Sequence, residues 1–393
     1  MHVMDTVYHS ATTNGFTGIP KPMPKVLIIQ QVLPHYRVPF FLALHRELVV
    51  RGIELELAFG HSPHELPLIN EPWATAFQPL YLFKNGPVWQ PVSDLLKGKD
   101  FVVVEQANKL LLNYWLLAGR FWHKTSVGIW GHGTNRVRNP WHPANLFKHW
   151  WSKQAHWWFA YTKGVQEILV KVGYPAGKIS VVQNAMDTAP LQKAFASISP
   201  EAVQKAREKY QVTGAHVAVY CGRMYPEKKL PWLIEACKLV RAQVPDFTLL
   251  LVGDGPDWQK IQQLVASYEW IHLTGPLYGS EKALVYKMAS VMLTPGLTGL
   301  NLLDAFTAEI PPITTHFRGH SPEIEYLQHG YNGWATPFAL QAYAEATVRL
   351  LTDGQLRNQL QKGCRETSQQ ISFQYMVEAF ADGIEAALAS RTV

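Results

Sequence analysis

VAVYCGRMYPEKKLPWLIEAC, residues 217–237, decides how this chain is read. Its first five residues form the short apolar run of a buried strand, Gly222 opens a turn, and a helix starts near Leu230 and Pro231. The turn carries Arg223 and Lys228 to the carboxyl end of a parallel strand, which is where open α/β sheets place their ligands. A guanidinium fork and a mobile ammonium together suit a diphosphate. The competing reading leaves both cations in water, as in most surface loops.

Downstream, strand patterns at 247–252, 270–273, 290–294 and 311–314 alternate with helix patterns at 230–242, 256–267, 280–288 and 300–308. Such alternation predicts a doubly wound parallel sheet. LLLVGDGP places Gly253, Asp254 and Gly255 in a strand-to-helix turn, where a GxG spacing fits a ligand loop and a plain tight turn equally well. IHLTGPLYG, with Leu277, offers backbone groups to a nucleobase. TPGLTGLNLLDAF sets a glycine-rich turn before a helix, so the N–H groups of Thr298, Gly299 and Leu300 are candidates for a phosphate and Asp304 for a ribose diol.

Upstream, residues 25–31, 53–59, 101–105, 126–130, 158–162 and 179–182 read as strands of another parallel sheet. Its first loop, VLPHYRVP, lacks a glycine-rich phosphate fingerprint, so nucleotide is not expected here. That loop presents His35, Tyr36 and Arg37, which either face an acceptor or respectively pack and solvate. The fourth strand runs into GHGTNRVR, where glycines flank His132 and let the backbone approach a ligand. His132 is the first candidate beside a reacting centre, against the ordinary surface or structural role of a histidine, and Arg136 and Arg138 are candidates for a second anionic group. Ser199 and Pro200 look like a helix N-cap and first turn, within a linker expected over 185–214.

The 393 residues exceed one ordinary core and predict two domains. Residues 1–24 lack the basic start and apolar middle of a secretory leader and are expected to form a loosely ordered extension. No apolar run is long enough for a membrane span. Cys221, Cys237 and Cys364 have no metal-ligand spacing and read as small hydrophobes in a reducing compartment. A net charge of +6 suits nucleic acid, an anionic membrane or phosphorylated ligands. Of the 14 tryptophans, several are packed between Trp115 and Trp158, five of them in WHPANLFKHWWSKQAHWWFAY, residues 141–161. Trp157 and Trp158 read as core. Trp150, Trp151, Lys148 and Lys153, with Trp115, Arg120, Phe121, Trp122 and Lys124, fit either core or a bilayer interface.

Taken in order, GRMYPEKK, LLLVGDGP, HLTGPL, TPGLTGLNLLDAFTAEIPPIT and SPEIEYLQHGYNG resemble the retaining GT-B glycosyltransferases of family 4, with weaker likeness at VLPHYRVPFF, GIWGHG and GYPAGKISVVQNAMDT. The resemblance implies an α/β fold of two Rossmann-like domains facing a cleft: 25–190 on the acceptor side and 191–365 on the nucleotide-sugar side, with 366–393 returning to the first domain. It implies that Arg223 and Lys228 clamp the donor diphosphate, that Gly222, Gly253, Asp254, Leu277, Thr298, Gly299, Leu300 and Asp304 bind the donor, that Tyr36, Arg37 and Arg136 meet the acceptor, and that His132 lies near the donor sugar. It also implies retention of configuration with no metal or cofactor.

The family carries two glutamates eight positions apart; here those positions hold Gly296 and Asp304. The expected activity is transfer of a hexose or deoxyhexose to a saccharide or lipid-linked saccharide in cell-surface polysaccharide or lipopolysaccharide synthesis. Its expected place is the cytoplasm, peripheral to the inner face of a bacterial membrane. A non-catalytic binder of nucleotide sugar or glycan, or an epimerase or phosphorylase on the same fold, would use the same clamp. Nucleic-acid binding ranks last, because the basic residues are dispersed and no reader motif is present.

Overall fold

A computed structural model describes residues 22–61, 69–84, 86–119, 125–133, 147 and 150–390. Arg136, Arg138, Lys148, Arg120, Phe121, Trp122 and Lys124 lie outside the described residues, as does nearly all of the extension expected before residue 25.

The first domain is built on seven parallel strands in the order β3-β2-β1-β6-β7-β8-β9. They are β1 (Lys25–Gln30), β2 (Glu54–Gly60), β3 (Ala74–Phe77), β6 (Phe101–Glu105), β7 (Ser126–Gly131), β8 (Trp157–Ala160) and β9 (Ile179–Val181). A short antiparallel hairpin, β4 (Leu80–Tyr81) and β5 (Val88–Trp89), projects beside them. Helices α1 (Val38–Val50), α2 (Leu111–Ala118) and α3 (Lys163–Lys171) join the strands. The central strands KVLIIQ and FVVVE are buried along nearly their whole length, because helices cover both faces of a parallel sheet.

The second sheet runs β12-β11-β10-β13-β14-β15, all parallel. Its strands are β10 (Val217–Cys221), β11 (Thr248–Val252), β12 (Ile271–Gly275), β13 (Val291–Thr294), β14 (Pro312–Thr315) and β15 (Trp334–Thr336). Around it lie α4 (Ala189–Ala196), α5 (Pro200–Lys209), α6 (Leu230–Gln243), α7 (Trp258–Val265), α8 (Gly279–Met288), α9 (Asn301–Thr307), α10 (Leu340–Thr352) and α11 (Gly354–Gln370). The Ser199 hydroxyl accepts from Ala202 N–H at 3.2 Å, with Pro200 in the first turn of α5. Much of the expected linker is therefore helical. Leu191 and Ala206 are buried in a core shared with β10, so α4 and α5 belong to the second domain's packing.

The order of each sheet reverses once, between β1 and β6 and between β10 and β13. These two switch points open crevices at the carboxyl ends of their strands. The last helix, α12 (Phe373–Ala389), begins at Ser372, whose hydroxyl accepts from Tyr375 N–H at 2.9 Å. It then lies along the first domain. Phe380 stacks on Phe159 at 4.2 Å and meets Phe40 and Trp130 edge-on. Gly383 permits this approach, since a Cβ there would stand 2.5 Å from Ser180 Oγ. The same buried cluster takes in Leu302, Leu303, Phe306 and Tyr326 of the second domain, so one apolar core reaches across the domain boundary.

Phe380 is fully buried. Phe380→Ala should therefore cost about 3–5 kcal/mol in urea unfolding followed by tryptophan fluorescence. A loss below about 1 kcal/mol would show that α12 does not hold the first domain.

Candidate functional site

A cavity of about 380 Å³ lies between the domains, lined by residues from both switch points. The first domain supplies Gln30 at the end of β1, Pro34, Tyr36 and Arg37 after it, Glu105 at the end of β6, His132 after β7 and Tyr161 after β8. The second supplies Tyr225 and Lys228 after β10, Leu297, Gly299, Leu300 and Asn301 after β13, and Ser321 and Glu323 after β14.

Lys228 ends the 3-10 turn Pro226–Lys228, and Lys229 follows in the left-handed region at φ 59°. Its ammonium donates to Leu297 O at 2.7 Å and lies 5.4 Å from the Tyr225 ring centroid. Only 8% of Lys228 is exposed, and burial pulls its pKa down to about 8 against the opposing influence of Cys221. The ammonium is therefore a charge kept in the protein at a cost, in the wall of a cavity.

Arg223 differs. It is exposed and is not among the cavity-lining residues; it stays near enough to Tyr225 to oppose the burial that raises that phenol's pKa. The two cations read as one clamp are thus split in this structure.

The other donor-side candidates are largely committed to the fold. Gly222 N–H donates to Val252 O and Gly253 N–H to Gly275 O. A Cβ on Gly253, at φ 129°, would stand 2.0 Å from Gly222 O, so these glycines serve the close approach of two loops. Asp254 is exposed and Leu277 packs against the second-domain core; neither lines the cavity. The N–H of Thr298 donates to His320 Nδ1 at 3.2 Å and that of Gly299 to Asn301 Oδ1 at 3.0 Å. This corrects their assignment as phosphate donors, because both are already spent. Asp304 is buried, and its Oδ2 accepts from Lys282 Nζ at 3.0 Å and from Tyr286 OH at 3.2 Å. Its Oδ1 keeps no partner among the described residues, and the side chain does not line the cavity.

On the first-domain side, His132 is exposed at the cavity wall with its ring 4.5 Å edge-on to Tyr161. Gly133 takes φ 74° directly after it. Tyr36 is 45% exposed at the mouth. Arg37 is not an exposed acceptor contact: 4% of it is exposed, its guanidinium lies 4.9 Å over Trp130 and donates to Ala185 O at 3.1 Å and to Asn184 Oδ1. Asn184 in turn donates through Nδ2 to Glu323 Oε1, so a buried cation, an amide and a carboxylate run in series across the domain boundary.

Glu105, Asn301 and Glu323 are cavity residues that the sequence reading did not single out. Glu105 accepts from Gln31 N–H, and burial pushes its pKa up to about 7 against that hydrogen bond, Arg37 and Lys109. A strand ending FVVVE at a switch point was the available signal. Among the described residues no three His, Cys, Asp or Glu side chains form a metal-binding group.

Residues 215–353 match the family described as glycosyl transferases group 1, and the two sheets reproduce GT-B structures. The fold is GT-B, and its second domain resembles the glycosyl transferases group 1 over residues 215–353. HepE from Anabaena, solved with UDP, superposes on this GT-B chain with a TM-score of 0.67, covering 92% of it and 99% of HepE at 17% identity. The apo lipopolysaccharide outer core galactosyltransferase WaaB gives a TM-score of 0.61 at 17% identity, covering 92% of this chain and 99% of WaaB. Among curated proteins, the alpha-monoglucosyldiacylglycerol synthase of Acholeplasma laidlawii is 25% identical over 173 residues, 42% of this chain and 43% of that protein. The GDP-mannose-dependent alpha-(1-6)-phosphatidylinositol monomannoside mannosyltransferase of Mycolicibacterium smegmatis is 28% identical over 137 residues, 32% of this chain and 36% of its own. These two matches therefore span less than half the length of either relative.

Position 296, where the family that the sequence resembles carries a glutamate, is a glycine here, and the structure supplies a steric reason. A Cβ there would stand 2.2 Å from Glu227 O and 2.8 Å from Lys228 O. Gly296→Ala should push the Lys228 turn away, lowering stability by about 1–3 kcal/mol in urea titration and weakening any anion held by Lys228. Unchanged stability and unchanged nucleoside diphosphate binding would refute this account.

Proposed function

We propose that this protein transfers a sugar from a nucleoside diphosphate donor to a saccharide or lipid-linked saccharide acceptor, with retention of configuration and without a bound metal or cofactor. The observation that carries the reading is Lys228: a largely buried ammonium at the second switch point, facing His132 and Tyr36 across one cavity. The complexes of HepE with UDP and UDP-glucose support a nucleotide sugar as donor, and relatives named for glycolipid synthesis support a glycan or glycolipid product.

In this reading the bond between the anomeric carbon and the diphosphate oxygen breaks, and its electron pair goes to the phosphate. Lys228 stabilises that charge where little water competes, which is electrostatic stabilisation of the transition state. The acceptor hydroxyl attacks from the side the phosphate leaves, and its proton passes to a phosphate oxygen. His132 lies beside the sugar, and Tyr36 meets the acceptor at the mouth. Arg223 is the second cation assigned to the diphosphate, although it stands exposed outside the cavity lining. Asp304 takes a ribose hydroxyl through Oδ1, and Gly222, Gly253, Asp254 and Leu277 shape the nucleoside end.

Lys228→Ala should lower sugar transfer in membrane extracts roughly 10²- to 10³-fold. Because the ligand-free ammonium loses its proton near pH 8, wild-type donor affinity should fall on the alkaline side of that value and the variant's should not. A non-catalytic binder is the second reading, favoured by the filled space at Gly296 and the exposure of Arg223. Donor binding by the wild type with no transfer to any acceptor fraction, and none lost in Arg223→Ala or Lys228→Ala, would establish it.

The acceptor reading extends to an anionic membrane surface of the cytoplasmic membrane. Leu80, Tyr81, Leu82 and Phe83 stand exposed on the β4–β5 hairpin, next to α2, where Trp115 is exposed. Trp150 and Phe147 are exposed too, and Tyr114 of α2 packs against Trp151. Lys84 and Lys153 flank these groups. Among the described residues no helix is long and apolar enough to cross a membrane. Phe83→Ser with Trp150→Ser should cut co-flotation with phosphatidylglycerol vesicles several-fold. Wild-type protein that stays at the bottom of the gradient at low salt would end this part of the reading.

A further inference from the structure

Glu105 stands in the wall of the cavity between the two first-domain loops that reach it. It ends β6, pairs with Trp130 of β7 on one side and follows the Ile29–Val104 pair with β1 on the other. The sheet order β1-β6-β7 therefore sets it between the turn bearing Tyr36 and the turn bearing His132. Its backbone is fixed from two directions. The Glu105 carbonyl accepts from Asn113 Nδ2 at 2.7 Å, and the next N–H, that of Gln106, donates to Trp130 O at 2.9 Å. A group at a strand end held in this way is placed by the sheet rather than by a loop.

Only part of the carboxylate is in use. Oε2 accepts from Gln31 N–H, whereas Oε1 accepts from no described residue and is not sealed from solvent. Among the described lining residues of the first domain, Glu105 is the one carboxylate and Arg37 the one arginine or lysine. Arg37 is turned away, its terminal nitrogens donating to Ala185 O, Met376 Sδ and Asn184 Oδ1. A phosphate or carboxylate arriving here would meet an acceptor-only group with no available cation beside it, whereas a hydroxyl can donate to it.

We propose that Glu105 accepts a hydrogen bond from a hydroxyl of the acceptor sugar, which is thereby held between Tyr36 and His132. The inference rests on the sugar-transfer reading above and adds to it the residue that orients the acceptor. The group recognised at this point is an uncharged polyol rather than an anion. The ionised carboxylate is the better acceptor, and burial brings its titration up to about pH 7. Arg37 from the turn before α1 and Lys109 from the loop before α2 face it and favour the charged form; Tyr161 after β8 is itself kept neutral by burial.

The full chain is assayed for transfer from UDP-glucose, UDP-galactose, UDP-N-acetylglucosamine and GDP-mannose to increasing amounts of a membrane extract. Wild-type kcat/KM for the extract should fall toward tenfold per unit as pH drops below about 7. Glu105→Gln keeps an oxygen for Gln31 N–H and removes the ionisable one. It should lose roughly 10- to 100-fold in that kcat/KM at about pH 8, lack the acid limb, and bind UDP or GDP in calorimetry as wild type does. Four results overturn the Glu105 assignment and leave the donor reading standing: an undiminished kcat/KM, an equal loss of nucleoside diphosphate affinity, an acid limb that survives the substitution and so belongs to His132, or a wild-type rate that rises toward acid. Wild-type protein that transfers from none of the four donors overturns both. Should Glu105→Gln melt early, Glu105→Asp carries the comparison, keeping the acid limb and losing rate.

Discussion

Two reciprocal hydrogen bonds join the loop after β10 to the loop after β13. Leu297 N–H donates to Glu227 O at 2.8 Å, and Lys228 Nζ donates to Leu297 O at 2.7 Å. The loops meet so closely that the residue between them must be Gly296. This contact fixes where the ammonium sits, and with it which wall of the cavity is positive. It also accounts for the absence of a side chain at 296: a Cβ there and this seat for Lys228 compete for the same space. The cavity's character follows from that choice, since the largely buried Lys228 lines its wall.

The cavity exists because two switch points face each other, and α12 helps to keep them so. Its aromatic and small side chains pack on α1, β8 and β9, while Leu302 and Phe306 of α9 enter the same apolar cluster. Arg51 reinforces the junction through Asp382 and Glu385, each at 2.6 Å, although the exposure of both carboxylates limits what these pairs contribute. The buried series Arg37, Asn184 and Glu323 crosses the boundary closer to the cavity. Breaking it would strand a charge, so it ties the first-domain loop to the second domain more firmly than an exposed pair could.

Much of this was legible in local pattern. The apolar run before Gly222, the regular alternation from 217 to 315 and the Ser199–Pro200 cap each depend on neighbours in sequence, and each is found. The fates of Arg37, Asp304 and Thr298 depend on distant partners. Nothing within a few residues of Arg37 announces Asn184 or Trp130, nothing beside Asp304 announces Lys282, and nothing near Thr298 announces His320 as the taker of its N–H. The hairpin over residues 80–89 and the short β15 escaped because two- and three-residue strands carry no period. Gly296 was visible as a departure, yet its cause lay in a carbonyl almost seventy positions away.

Burial moves Lys228 and Glu105 in opposite directions, and both shifts disfavour charge in the ligand-free cavity. For Glu105, the folded protein holds a proton between about pH 4.5 and 7 that the unfolded chain has released, so this group's contribution to stability declines as pH rises through that window. For Lys228 the unfolded chain holds the extra proton between about pH 8 and 10.5, and the contribution rises with pH there. At neutral pH the ammonium is therefore retained at the expense of folding free energy. An anion entering the cavity would offset that expense by neutralising the charge, and the free energy recovered would appear as affinity. The strained ammonium makes the empty cavity costly and the anion-filled one favourable, which is the condition for a site that grips a diphosphate tightly while the group bonded to it departs.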